Sequence, residues 1–272
     1  MTRSPVPVLD LNDGRTMPQL GLGVYQTPAE ETAKVVSDAV SSGYAAVDTA
    51  AIYGNERGVG EALSSHPEVH LTTKLWNDRQ GYDSALTAFE RSLERLGRDS
   101  VDLYLIHWPV PSQDLYVDTW KALIRLREEG RARSIGVSNF QPRHLERIIG
   151  ETGVVPAVNQ IELHPRFQQR ALLEVHAAHG IATTSWSPLG RGALLDDPVI
   201  GGIARRHGKT PAQVIIRWHI DNGLSVIPKS VRPERVRENI DVFDFSLSDE
   251  DLTAIAGLDD AGGRIGPDPD TF

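Results

Sequence analysis

The 272-residue chain has no cysteine, which removes disulfides, thiolate nucleophiles and Cys-ligated zinc together. No apolar run approaches the ~18 residues that a membrane span requires. The opening MTRSPVPVLDLNDG has no apolar stretch of the kind a signal peptide needs, so a soluble, cytoplasmic protein is expected. Basic charge is scarce: 28 Lys and Arg against 37 Asp and Glu leave a net charge of −9. That balance argues against nucleic acid or an anionic membrane as the main partner, while leaving room for a local basic pocket around a small phosphate. No low-complexity tract or compositional break marks a linker. A dinucleotide fingerprint is also missing, because Gly21 and Gly23 are followed by Val24, Tyr25 and Gln26, not by a third glycine in register.

What is present is ordinary globular material, 40% hydrophobic and 24% charged, arranged as a repeating unit. Short β-branched runs alternate with amphipathic stretches. The strands read as 20–25, 45–48, 69–74, 101–106, 133–138, 156–160, 181–186 and 224–228. Between them lie helical signals. Thr27 is placed as an N-cap with Pro28 at the first helical position and Glu30 closing a capping box, and Ala29, Ala33, Val36 and Val40 share a face. Ala85, Phe89, Leu93 and Leu96 form another stripe. Gly43, Gly97 and Gly130 stand where helices should stop. Strict β–α alternation requires parallel pairing with helical crossovers, and eight repeats at this length fit a (β/α)₈ TIM barrel in one domain spanning 1–272. VPVL and NDG, within 6–14, read as an added β-hairpin able to plug the lower end of the barrel.

Barrel enzymes place chemistry at the C-terminal ends of their strands. Those ends carry Tyr25, Asp48, Lys74 with Trp76, His107 with Trp108, Ser138 with Asn139, Asn159 with Gln160, Trp186 with Ser187, and Lys229 with Ser230. Each alone has a plain explanation. Asp48 can cap a turn, Lys74 can be solvated, Tyr53 can be packing and His107 can be a core histidine. Their convergence from adjacent strands suggests hydride reduction of a carbonyl, which builds negative charge on oxygen that an acid must neutralise. A phenol with pKa near 10 is a weak acid for that task at neutral pH. A lysine cation ~4 Å away, at an effective dielectric of ~20, favours the phenolate by roughly 4 kcal/mol before desolvation. Asp48 would keep Lys74 charged, Lys74 would lower the pKa of Tyr53, Tyr53 would donate the proton, and neutral His107 would orient the carbonyl.

The segments DTAAIYGNE, TTKLWND, VDLYLIHWP, SIGVSNF, VVPAVNQIELHP and IPKSVRPERVRENI, in that order, resemble the aldo-keto reductase family over nearly the whole chain. Within it the chain is most similar to the bacterial branch containing 2,5-diketo-gluconate reductases. The resemblance implies the (β/α)₈ barrel, NADPH-dependent reduction of aldehydes or ketones, and the tetrad Asp48, Tyr53, Lys74 and His107. It implies that Ser138, Asn139 and Gln160 hold the carboxamide and that Trp186, where many members have tyrosine, stacks on the nicotinamide. Ser187 and Leu189 would cover the pyrophosphate, with Arg191 reaching a phosphate. Lys229, Ser230 and Arg235 match the 2′-phosphate positions, Val231 among them is a further cofactor contact, and Glu238 and Asn239 match the adenine contacts. A helix N-terminus at Pro233 beside Lys and Arg suits phosphate on physical grounds as well. Tyr25, Trp76, His107, Trp108 and Phe140 would line the substrate side. The short tail after 260, rich in Gly, Pro and Asp, suggests an open site, and a monomer is the implied state.

Other chemistries use some of the same residues. A Schiff-base lysine at 74 would have to lose the charge that Asp48 favours. A glycosidase would pair Asp48 with Glu162, but Glu162 reads more simply as a loop residue. His176 and His179 lie three apart with no further ligand evident, so no metal site is expected. An NADPH sensor or partner subunit on the same barrel would have no need of a proton donor.

Overall fold

A computed structural model describes residues 6–272. Its strands are β1 (Val8–Asp10), β2 (Thr16–Pro18), β3 (Leu22–Gly23), β4 (Ala46–Asp48), β5 (His70–Leu75), β6 (Val101–Ile106), β7 (Ala132–Ser138), β8 (Val158–Glu162), β9 (Ala182–Trp186) and β10 (Ser225–Val226). From β3 to β10 every neighbouring pair is parallel, and bridges Leu20–Val226 and Gly23–Lys229 join the first strand to the last. The sheet therefore closes as an eight-stranded parallel barrel, and helices cover its outside.

Side-chain alternation sorts each strand into two faces. On β6, Tyr104 and Ile106 enter the large core beneath the helices, whereas Leu103 and Leu105 join an inner cluster. The same parity carries His107 inward. On β4, Val47 packs outward and Asp48 inward; on β5, Leu71 and Leu75 pack outward and Lys74 inward. On β8, Ile161 is outward and Gln160 inward.

The helices end where Gly43, Gly97 and Gly130 predict, with Gly97 in a left-handed C-cap position and Gly43 and Gly130 at positive φ just past the ends. The stripe Ala85, Phe89, Leu93 and Leu96 is fully buried. The first helix differs from expectation. It spans Ala29–Ser41 with Pro28 at the cap position and no side-chain cap, and Thr27 Oγ1 is buried without a partner. Its buried face is Thr32, Val35, Val36 and Ala39, rotated from the expected stripe around the shared Val36. Two helices approach closely at Gly60, where a Cβ would lie 2.1 Å from the Leu96 carbonyl oxygen, so only glycine fits.

The antiparallel hairpin β1–β2 is present and extends further than the sequence suggests, to Pro18. Leu11 and Met17 from it bury against Leu103, Leu105, Ala157 and Val158, sealing the barrel floor with apolar side chains. Among the described residues, no helix is long and apolar enough to cross a membrane.

Candidate active site

At the opposite end of the barrel the inward side chains are polar. Lys74 is completely buried, and its Nζ donates to Asp48 Oδ1 at 2.5 Å, to the Thr49 carbonyl at 2.8 Å and to Tyr53 Oη at 3.5 Å. The other carboxylate oxygen of Asp48 accepts from Gln160 Nε2 at 2.7 Å, across the barrel. Asp48 thus uses both oxygens on the tetrad and Gln160, and does not cap the turn that follows it.

That turn is itself held from below. Thr49 Oγ1 donates to Asn55 Oδ1 at 2.8 Å, and Asn55 Nδ2 donates to the Val24 carbonyl at 2.9 Å. A 3₁₀ turn at Ala51–Tyr53, closed by Gly54 at φ 69°, then aims the Tyr53 ring back over the lysine, whose Nζ lies 5.1 Å from the ring centroid. Tyr53 stacks 5.0 Å from Tyr25 and meets His107 edge-on at 5.7 Å, and Trp76 meets His107 at 5.2 Å.

Burial is the main force on the ionisable groups. It pulls Lys74 below the ordinary lysine value, and Asp48 and then Glu56 pull back. It pushes His107 well below 6.5, with Lys74 adding to the effect, so the imidazole is neutral. It also raises the Tyr53 phenol well above 10, with Asp48 and Tyr25 acting in the same direction. This last shift reverses the expectation that Lys74 lowers the phenol's pKa. Desolvation is the largest of these effects and decides the sign. The phenol therefore stays protonated in the resting site.

Asp48, Tyr53 and His107 line a cavity of about 300 Å³, in the range of small-molecule sites, with Lys74 buried behind them. Tyr25, Trp76, Trp108, Asn139, Gln160, Trp186, Ser187, Arg191 and Lys229 all line it, as expected from the strand ends. A larger groove of about 560 Å³ on the barrel flank shares only Ile52 and Trp76 with it and holds none of the tetrad. Asn139, held at φ 63°, donates through Nδ2 to the His107 carbonyl and accepts from Trp186 Nε1 at 2.8 Å. That bond sets the indole's orientation. Ser138 is buried beneath and donates to the Gln160 carbonyl at 2.7 Å. Leu189 and Val231 are half-buried against the core.

Beyond β10, Lys229 is exposed, with Nζ 3.3 Å from the Gln26 carbonyl, and Ser230 is buried. The helix Pro233–Asn239 has proline in its first turn and no side-chain cap, so its N-terminal amides point at the segment carrying Lys229 and Ser230. Arg235 is exposed on its first turn, whereas Asn239 is buried and the Glu238 carboxylate already accepts from Thr210 Oγ1 at 2.6 Å. A dinucleotide phosphate fits this end by charge and by free donors.

Three expectations need correction. Phe140 is fully buried between Tyr116 and His144, outside the cavity, because its position after β7 turns it to the helix layer. The site is not left open by the tail, since Pro267 and Phe272 line the cavity and Phe272 lies 4.6 Å from Trp108 and 6.5 Å from Trp76. Glu162 is no loop residue; it ends β8, paired with Trp186, and is buried. Glu56 was not singled out from sequence. Its buried carboxylate accepts from Thr73 Oγ1 and Arg95 Nε, both at 2.6 Å, and adds negative potential behind Lys74. Its first-turn helix position resembles ordinary dipole matching, which hides it. His176 is a core group, between Asn159 and Thr183.

Comparison with known proteins agrees with this geometry. A model of the aldo/keto reductase family matches residues 17–260. The chain is 53% identical over 271 residues to the methylglyoxal reductase DkgA of Escherichia coli K12, covering 97% of this chain and 98% of that one. It is 60% identical to an aldo-keto reductase of Mycolicibacterium smegmatis, covering 98% of each. Among solved structures, a point variant of Gox0644 in complex with NADPH superposes with a TM-score of 0.98 at 59% identity, covering 99% of both chains. The parallel barrel, the buried Asp–Lys pair under a tyrosine, and these likenesses place the chain in the aldo/keto reductase family.

Proposed function

We propose that this protein reduces small aldehydes and ketones to alcohols with NADPH, taking compact dicarbonyls of the methylglyoxal type and related keto-compounds. The observation that carries the reading is the buried Asp48–Lys74 pair held under a protonated Tyr53 beside neutral His107, with Asp48, Tyr53 and His107 lining one cavity. The NADPH complex of the Gox0644 variant and the methylglyoxal reductase relatives support the cofactor and the substrate class.

When bound, NADPH supplies the hydride for the carbonyl carbon. Ser138, Asn139 and Gln160 would hold the carboxamide, Trp186 would offer the ring a flat face, and Ser187, Leu189 and Arg191 would cover the pyrophosphate. Lys229, Ser230 and Arg235 would take the 2′-phosphate, with Val231 a neighbouring cofactor contact and Glu238 and Asn239 near the adenine. His107, kept neutral by burial, donates a hydrogen bond that aims the carbonyl oxygen at Tyr53 Oη. The phenol passes its proton to that oxygen as charge develops there. Lys74 then matters most: the phenolate left behind lies 3.5 Å from the ammonium. Stabilisation that appears only after the proton moves lowers the barrier without loosening the resting phenol.

The test is purified protein with methylglyoxal and a panel of aldehydes, following NADPH oxidation. Turnover well above the protein-free rate is expected, with kcat/KM at least ~10-fold higher for NADPH than for NADH, as loss of charge-assisted phosphate contacts predicts. Failure to reduce any carbonyl overturns the reading. Equal use of both cofactors overturns the 2′-phosphate assignment.

A further inference from the structure

Glu162 is a buried carboxylate that the proposed chemistry does not use. It stands one inward position above Gln160 on β8, so alternation places it in the uppermost layer of the barrel, beside its register partner Trp186. Its distal atoms are fully engaged, but not by the tetrad. Oε1 accepts from the Ile265 amide at 2.6 Å and faces His164 Nε2 at 3.2 Å; Oε2 accepts from the Gly266 amide at 2.8 Å. Two successive backbone N–H groups of the C-terminal segment therefore end on one carboxylate. Burial raises the Glu162 carboxyl, but the bond to His164 and then the two amide bonds outweigh it and hold its pKa below the usual carboxylate range.

The segment has other attachments, and they differ in kind. Asp260 N donates to the Arg166 carbonyl at 3.1 Å, the Arg264 guanidinium lies over Phe167, and Asp270 meets Arg143 at 2.7 Å at the surface. Glu162 fixes the segment from inside the barrel. It does so immediately before the chain enters the cavity at Pro267. Contact is close there: a Cβ on Gly266 would lie 2.4 Å from Trp186 Cη2 and 2.8 Å from Glu162 Oε2. Five residues on from Pro267, Phe272 lies against Trp108 and Trp76 and forms part of the cavity lining.

We propose that Glu162 is a positioning residue for substrate: its carboxylate latches the amides of residues 265 and 266, which seats Phe272 over Trp108 and Trp76 and sets the size of carbonyl compound the cavity takes. This rests on the carbonyl-reductase reading above. Latched, the wall selects compact substrates. Released, it leaves the small substrate poorly held and admits larger ones. The reacting oxygen is handled by Tyr53 and His107, so the chemical step is largely spared.

Glu162→Gln tests the latch in the full chain. An amide keeps one acceptor but turns an N–H₂ toward the second backbone N–H, so at least one of the two bonds is lost. With NADPH saturating, KM for methylglyoxal should rise ~10-fold while kcat changes less than ~3-fold. The kcat/KM ratio of a naphthaldehyde to methylglyoxal should rise by a similar factor. Gly266→Ala leaves Glu162 intact but forces the segment off Trp186, and should move that ratio the same way. Asp270→Asn, breaking an exposed pair, should change it less than ~2-fold. Hydrogen exchange without substrate gives an independent readout, in which the amides of residues 265 and 266 exchange at least ~10-fold faster in Glu162→Gln.

A purely structural role for Glu162 would lower the melting temperature and leave the substrate ratio unmoved, and that result overturns the proposal. If Glu162→Gln does not fold, Gly266→Ala decides, and an unchanged ratio there overturns it equally. If wild-type protein reduces no carbonyl at all, the functional reading fails, and unchanged exchange at 265 and 266 is what then defeats the latch.

Discussion

The two ends of the barrel are built from the same strands by opposite rules. At the floor, Leu103, Leu105 and Val158 meet Leu11 and Met17 from the hairpin in an apolar seal. A few residues further along the same strands, His107 and Gln160 face the Asp48–Lys74 pair in the cavity. The floor gains stability from burial. The top accepts the desolvation of two charges, which their mutual attraction offsets only while both are present. Stability and chemistry are thus separated along the barrel axis, and substitutions at the two ends should separate them too.

The largest effect is expected from removing the phenol's hydroxyl. Tyr53→Phe should lower kcat by ~10²–10⁴, the range for general acid catalysis, with NADPH affinity nearly unchanged. Retention of most activity would show that another group donates the proton. Lys74→Met should also abolish turnover and in addition destabilise the fold by ~3–5 kcal/mol, because Asp48 is left buried without its counter-ion. Adding Asp48→Asn to Lys74→Met should recover much of that stability while activity stays lost. Chemical denaturation of the three proteins measures this, and if the double variant is as unstable as the single, the cost does not lie in the unpaired carboxylate.

At the floor the expected pattern inverts. Met17→Ala removes a buried side chain, 5% exposed, from the seal, and should cost ~2 kcal/mol, the low end for core truncation because the hairpin can relax. Its kcat and KM at a temperature where it is folded should match wild type. A change in kcat would mean that the floor and the tetrad are coupled through β4–β6.

Much of this division was legible in the sequence, and the reason is periodicity. Eight β-branched runs closed by polar residues placed Asp48, Lys74 and His107 at one end, and the glycines after the helices marked their stops. The errors came where contacts distant in sequence decide. Phe140 and Trp108 both follow a strand by two residues, yet neighbours absent from either local stretch send one to the helix layer and the other to the cavity. Phe272 follows a Gly- and Pro-rich stretch that reads as an open tail until Glu162, more than a hundred residues earlier, fixes it. Parity was available for Glu162 itself, since it lies two residues beyond Gln160; reading it as a loop residue ended the strand too early. The sign of the Tyr53 shift was out of reach, because it depends on how completely the folded site removes the phenol from water.

The smallest expected effect contrasts two neutral imidazoles. His107 faces the cavity, whereas His176 lies outside the barrel wall, with Nε2 2.9 Å from Asn159 Nδ2 and Nδ1 2.8 Å from Thr183 Oγ1, tying β8 to β9. Burial, reinforced by His179, pushes His176 down to about 4. In the unfolded chain the same group titrates near 6.5, so between those values the unfolded state binds a proton that the folded state refuses. Stability is then greatest above pH ~6.5 and falls as the pH drops toward ~4, below which the folded state takes up the proton too and the loss stops growing. His176→Gln can keep bonds to Asn159 and Thr183 without titrating. It should therefore lose less stability than wild type between pH 7 and pH 5, by ~1–2 kcal/mol, when both are unfolded in urea. Since His107 stays neutral over the same interval, kcat of the folded enzyme should not follow that curve. Parallel losses of activity and stability across the window would mean that the two imidazoles titrate together, and that the wall and the cavity are electrostatically one site.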